Sequence, residues 1–336
     1  MPTDPSTDTV SLLRAAIIGT GQIARRGHLP GYVRAGVRLE ALCSRRGEEL
    51  NTLADDFGVE RRYGDWHEML EDGGFDVVSI CTPPALHCEM AVECLQRGLA
   101  VLVEKPMALT PAECDRMIAA AEESGALLVI AHNQRYVTTH QAAKQILQSG
   151  RLGKPYLAHA VFGHGGPEKW SPLQDWYFHP AQAGHGVLAD LGSHKFDLLC
   201  WLLDQQIVEI GAFGQTFEKP TAASDTVVCT LRFSGGTLAT VQVSWVFRPD
   251  WENSLVLRCE RGSLHIPTDV REPLILVDAD TSTTQTIEIP QTPPTLPVGW
   301  RPSARSVRLS PANVHLRFQG QKEGPWSPRS WRPMKP

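Results

Sequence analysis

The apolar positions follow two different patterns along the chain. In the first, residues 14–18, 39–44, 77–82, 100–103 and 127–131 are short apolar runs of the kind that form buried strands. Between them, 22–35, 48–57, 86–97 and 111–124 carry helical spacing. Leu50, Leu53, Ala54 and Phe57 fall on one face, and Thr110 followed by Pro111 marks a helix start. Strands alternating with helices predict parallel βαβ units. From about Tyr136 the order changes. A helix at 141–149, a strand at 156–162, a long Gly-, Pro-, Trp- and His-rich loop over 163–186 and a helix at 188–203 come first. Strand-like runs then follow at 208–213, 226–233, 237–245, 254–259, 263–266, 274–277 and 284–289. This second pattern predicts a mostly antiparallel sheet with helices on one side.

The expected fold class is therefore α/β, a doubly wound parallel sheet of Rossmann type over 1–135, plus an α+β domain with a large mostly antiparallel sheet over 136–290. Residues 1–11 read as a disordered lead. Residues 290–336 hold ten of the 25 prolines, and 301–336 carry six Arg and two Lys against one Glu, so 291–336 is expected to be a poorly ordered basic tail.

Composition narrows the function classes. A net charge of -5 gives no reason to expect a nucleic-acid partner. No apolar run approaches the ~20 residues that span a bilayer, so no membrane partner is expected. The polar start lacks a basic region followed by an apolar one, so no secretory signal is read. The eight cysteines include no C-x-x-C pair and lie mostly in apolar segments, as buried free thiols of a cytoplasmic protein would. Histidine spacing suggests no metal site.

Three stretches carry candidate chemistry. Residues 15–24 end an apolar run in Gly19-Thr20-Gly21-Gln22-Ile23-Ala24, the G-x-G-x-x-A form of a dinucleotide fingerprint. Gly19 permits the tight turn, Gly21 the approach of a pyrophosphate and Ala24 close helix packing, with Thr20, Gln22 and Ile23 beside the phosphates at a helix N-terminus. At the end of the second strand, Ser44, Arg45 and Arg46 stand where an acid would bind a ribose 2′-OH. A guanidinium fork suits a 2′-phosphate, which favours NADP(H), with NAD(H) as the alternative. Val101-Leu102-Val103-Glu104-Lys105-Pro106 closes another strand at the same edge, and by position alone Lys105 would be a solvated cap. Asp190-Leu191-Gly192-Ser193-His194-Lys195-Phe196-Asp197 places Asp190, His194 and Asp197 at i, i+4 and i+7, one helix face. Asp190 is then expected to orient His194, an imidazole suited to accept a hydroxyl proton, and Lys195 to point to a different face. In the long loop, Trp176 and His179 combine aromatic and polar character suited to a sugar.

Together these motifs, in order and spacing, resemble the Gfo/Idh/MocA family of nicotinamide-dependent oxidoreductases over about residues 12–289. The resemblance implies that Thr82, Pro83 and His87 lie against the cofactor and that Glu104 contacts the nicotinamide region. It also implies that Lys105 reaches the substrate hydroxyl and that the Lys105–Pro106 bond is cis. Lys105, Asp190 and His194 would be the catalytic group, and Arg135, in Asn133-Gln134-Arg135-Tyr136, would border the substrate. The expected activity is hydride transfer between NAD(P) and a secondary alcohol or ketone of a sugar, sugar derivative or inositol-like polyol. The expected partner, besides substrate, is a second copy through the open sheet face. A non-catalytic cofactor-binding sensor and an inactive copy with an altered ending are the rivals. Family members usually finish with a helix returning to the nucleotide domain and a last strand. Here that ending is unrecognisable, as from a replaced, frameshifted ending or a natural tail that wraps a partner subunit.

Overall fold

The computed structural model describes residues 13–171, 175–249 and 251–289, and the backbone of residues 315–318. In chain order the first half is β1 (Arg14–Ile18), α1 (Leu29–Arg34), β2 (Arg38–Cys43), α2 (Gly47–Phe57), β3 (Arg61–Tyr63), α3 (Trp66–Asp72), β4 (Val77–Ile80), α4 (His87–Gln96), β5 (Ala100–Val103), α5 (Pro111–Ser124) and β6 (Leu128–Ile130). The strands form one parallel sheet in the order β3-β2-β1-β4-β5-β6. Alternate residues of β1 serve opposite layers: Ala15 and Ile17 pack with Leu29, Leu42 and Leu53, while Ala16 and Ile18 pack with Val78, Ala91 and Val103. Thr110 caps the start of α5, as its sequence predicts, and Glu113 completes a reciprocal cap by bonding back to the Thr110 backbone.

Two elements escape the sequence pattern. β3 is a three-residue polar edge strand, Arg-Arg-Tyr, with no apolar alternation, and α3 is a single short helix capped by Asp65. The helix expected at 22–35 contains a π-helical turn, Ala24–His28, ahead of α1. That wider turn carries His28 into the interior, where it is fully buried.

The second half is α6 (Thr138–Gln148), β7 (Pro155–Gly163), α7 (Pro180–Ala183), α8 (Ser193–Leu203), β8 (Ile207–Gln215), β9 (Thr226–Phe233), β10 (Leu238–Ser244), β11 (Leu255–Cys259), β12 (Gly262–Ile266), β13 (Leu274–Asp278), β14 (Thr284–Ile287) and β15 (His315–Phe318). Its nine-stranded sheet runs β14-β13-β12-β11-β7-β10-β9-β8-β15, antiparallel except for the β7–β10 and β8–β15 pairs. One face is buried with α6 and α8, through residues such as Ala160, Val241, Leu231 and Leu199. The register brings Leu157, Leu238, Val228 and Phe213 to the other face, where all four are exposed. β15 corrects the reading of the tail in one place: four residues of it form an edge strand beside β8. The rest of the tail, like residues 1–11, lies outside the described residues.

All eight cysteines are free thiols. Among the described residues no helix is long and apolar enough to cross a membrane.

Candidate active site

The carboxyl ends of the parallel strands open into a cavity of about 850 Å³. This is where an open α/β sheet binds its ligands. At one end is the glycine turn. Gly19 has φ +100°, and a Cβ there would lie 2.6 Å from the Cys81 carbonyl oxygen, so only glycine fits between β1 and the end of β4. Gly19, Thr20, Gly21, Gln22 and Ile23 all line the cavity. Thr20 Oγ1 and Gln22 Oε1 are buried there without a hydrogen-bond partner. Buried polar atoms are normally satisfied, so this cradle fits the phosphates and ribose of a dinucleotide. Ser44, Arg45 and Arg46 line the cavity beyond the end of β2, and Thr82 and Pro83 follow β4. Arg46 pairs with Glu49 at 2.7 Å. Glu40, the acid inside β2, is tied to Arg38 at 2.7 Å instead of facing this end.

The opposite end holds the titratable groups. Glu104 and Lys105 leave β5 and line the cavity, and the Lys105–Pro106 bond is cis. Lys105 Nζ donates to Asp190 Oδ1 at 2.8 Å and to the Asp190 carbonyl at 2.9 Å. Asp190 Oδ2 accepts from Trp245 Nε1 at 3.0 Å. His194 lines the same end. Burial, reinforced by Lys105, His132 and Lys195, pushes its imidazole well below the ordinary value of 6.5, so it is neutral at neutral pH. Its Nδ1 is buried without a partner, and its ring packs 5.8 Å from that of Phe162.

The cavity thus brings together Gly19 to Ile23, Ser44 to Arg46, Thr82, Pro83, Glu104, Lys105, Trp176, Asp190 and His194. Four expectations need correction. Asp190 does not hold His194. A π-helical turn, Leu188–Gly192, precedes α8 and breaks the i, i+4 stacking, and the carboxyl group is taken by Lys105 and Trp245. His87 lies behind the wall, fully buried, with Nδ1 3.0 Å from the Pro106 carbonyl and Nε2 2.9 Å from that of Thr82. It braces two lining segments and does not itself reach the cavity. Arg135 is turned away into an ion pair with Asp197 on α8, joining the two halves of the chain. His179 is exposed and paired with Asp175 at 3.2 Å.

Lys195 does take a different face, as the spacing predicts. It is fully buried, donates to the Ser254 carbonyl at 3.2 Å, and burial pushes it down to about 7.

Several lining or supporting residues had no sequence signal. Trp245 is fully buried at the end of β10, and its N–H needs an acceptor, which Asp190 supplies. Phe162, His164, Lys169 and Trp251 join the wall from separate strands and loops, beside Trp170 of the aromatic loop that the sequence does single out. Trp176 stacks on Tyr177 with ring centres 3.8 Å apart.

Residues 13–132 match the family described as "Oxidoreductase family, NAD-binding Rossmann fold", and residues 140–265 match "GFO/IDH/MocA C-terminal domain". The chain belongs to the Gfo/Idh/MocA family. Its relatives within this oxidoreductase family include the myo-inositol 2-dehydrogenase of Thermotoga maritima, 26% identical over 236 residues that cover 69% of this chain and 68% of that one. The D-glucoside 3-dehydrogenase of Escherichia coli is 28% identical over 257 residues, 71% of this chain and 72% of that one. Among solved structures, the WlbA dehydrogenase of Bordetella pertussis in complex with NADH and UDP-GlcNAcA superposes with a TM-score of 0.72. It is 25% identical, with 84% of this chain and 79% of that one covered.

Proposed function

We propose that this Gfo/Idh/MocA protein transfers a hydride between a nicotinamide dinucleotide, NADP(H) in preference to NAD(H), and a secondary alcohol or ketone of a sugar, sugar derivative or inositol-like polyol. One observation carries the reading: a single cavity joins the Gly19 turn to the Lys105, Asp190 and His194 group. The residues present fit the cofactor, because the narrow glycine turn and the unpartnered Thr20 hydroxyl lie where its phosphates would bind, and the unpartnered Gln22 Oε1 can accept from a ribose hydroxyl. Bound there, the nicotinamide supplies the hydride acceptor or donor.

The protein's own groups supply the rest. Lys105, held by both Asp190 oxygens that face it, places a positive charge where the substrate oxygen becomes an alkoxide. His194, neutral and with an unpartnered nitrogen, is positioned to take the hydroxyl proton in oxidation and to return it in reduction. Asp190 orients Lys105, and Trp245 fixes Asp190. The Trp176–Tyr177 stack and Trp170 form an aromatic wall for the C–H face of a sugar ring. The relatives named for inositol and glucoside oxidation support this substrate class.

The NADP preference rests on Ser44, Arg45 and Arg46, which line the cavity at the end of β2, while Glu49, the acid paired with Arg46, does not line it. Titrating the protein with NADPH and NADH tests it: tighter NADPH binding, reversed in Arg45→Asp, is expected, and tighter NADH binding overturns it. A screen of polyols and keto-sugars for change in nicotinamide absorbance tests the activity. The exposed Leu157, Leu238, Val228 and Phe213 support association of two copies through the open sheet face, which sedimentation would show as a dimer.

A further inference from the structure

The cavity end that holds Lys105 rests on a buried polar chain to which the mechanism above gives no role. His28, carried inward by the π turn Ala24–His28, is fully buried and does not reach the cavity. Its Nε2 lies 3.0 Å from Glu104 Oε1 and its Nδ1 3.1 Å from Ser79 Oγ. Ser79 Oγ is in turn 2.6 Å from the Tyr32 hydroxyl. The other carboxyl oxygen of Glu104 accepts the Lys105 backbone N–H at 3.2 Å. Glu104 is thus gripped from both sides while it lines the cavity.

We propose that His28 is a positioning residue for the nicotinamide end of the site: its buried ion pair with Glu104 fixes a negative charge beside Lys105 and makes the cavity prefer the oxidised, cationic pyridine over the reduced, neutral one. The inference rests on the proposed cofactor site for its second clause and on the 3.0 Å contact between His28 and Glu104 for its first.

The surroundings make His28 the first support of the Glu104 charge, ahead of Lys105. Lys105, next in the chain, has its Nζ committed to Asp190. Cys81, at the end of β4, and Tyr32, on α1, are both pushed up by burial and remain neutral. His87 on α4 and His132 after β6 are pushed down by burial and are also neutral, and Tyr177 is raised. Burial opposes a charge on both members of the pair. For His28 the contacts with Cys81 first, and then with Glu104, outweigh it and raise the imidazole; for Glu104 the contact with His28, helped by Lys105, outweighs it and lowers the carboxyl group. A buried carboxyl without such a partner takes up a proton instead. A dinucleotide with its phosphates on the Gly19 cradle and its adenosine ribose at the Arg45–Arg46 end would turn its pyridine ring toward Glu104.

The test has two readouts. The first is the nitrogen spectrum of the His28 imidazole in the wild-type protein, which needs no variant and no cofactor. Both ring nitrogens protonated across neutral pH is the expected result, and a ring with one bare nitrogen overturns the ion pair. The second is calorimetric affinity for the oxidised and reduced dinucleotide near neutral pH in wild type, His28→Gln, Glu104→Gln and the double variant. Each single change should lower the oxidised-to-reduced affinity ratio about tenfold, and the double variant no further. A ratio unchanged in His28→Gln while Glu104→Gln lowers it, or effects that multiply, overturns the positioning role. Failure of the wild-type protein to bind either dinucleotide overturns the proposed function together with the redox preference, while the imidazole spectrum still decides the ion pair.

Discussion

Lys105 Nζ and Asp190 Oδ1 are 2.8 Å apart, although 85 residues separate them in the chain. The contact joins the end of a parallel strand in the first half to the π turn ahead of α8 in the second. It is also where the sequence-based assignment of Asp190 changes: the carboxyl group orients the amine, and the imidazole stands free. Trp245 closes the arrangement from behind.

Asp190→Ala removes the acceptor of the fully buried Trp245 N–H and the carboxylate partner of Lys105 Nζ, which keeps only the residue-190 carbonyl. A loss of about 1–3 kcal/mol in unfolding free energy is expected, because the buried Trp245 donor is left unpaired. Asp190→Asn, which can still accept from Trp245, should lose much less stability and still lose most turnover. Chemical denaturation and steady-state rates on the same preparations separate the two effects.

Lys105→Ala and His194→Ala should each lower kcat by about a hundredfold or more. Dinucleotide affinity should change little, because neither side chain lies at the phosphate end of the cavity. Rates near wild type in both variants would remove these roles.

Gly19→Ala should be poorly tolerated. The added Cβ would sit 2.6 Å from the Cys81 carbonyl oxygen at a φ of +100°, so β1 and β4 must move apart. A destabilisation of about 1–3 kcal/mol and loss of dinucleotide binding are expected. Thermal shift with and without cofactor reads both.

Lys195 gives stability a pH dependence. Its amine is fully buried and pushed down from 10.5 to about 7. Between those values the unfolded chain holds a proton that the folded chain has lost. Lowering the pH through this range therefore favours the unfolded state, and raising it stabilises the fold. Lys195→Met removes the titrating group, so its melting temperature should lie above wild type at pH 7, with the difference shrinking toward pH 10. A constant difference across that window would contradict the assignment.

The nucleotide half was largely legible because its buried strands are short apolar runs and its turns carry Gly, Thr and Pro at fixed places. β1, β5 and α5 have the limits their residues suggest. Polar β3 gave no such signal, since an edge strand of Arg-Arg-Tyr has no face to bury. The site was legible where a motif holds it on one element, as in 19–23 and 104–105. It was not legible where helix geometry departs from 3.6 residues per turn. Both π turns, Ala24–His28 and Leu188–Gly192, redirect a side chain the spacing had placed elsewhere or left without a role: His28 inward to Glu104, Asp190 across to Lys105. Arg135 and His179 failed as substrate contacts for a different reason: each found an acid, Asp197 or Asp175, whose proximity the sequence does not encode locally.

The central claim is that an amine from the first half and an imidazole from the second meet on one substrate hydroxyl. A crystal structure of the protein with a nicotinamide dinucleotide and a bound polyol measures it directly. The carbinol oxygen should lie within about 3 Å of both Lys105 Nζ and a His194 ring nitrogen, with its carbon facing the pyridine ring. A polyol bound with neither side chain on its reacting oxygen, or a dinucleotide lying outside the Gly19 cradle, would contradict it.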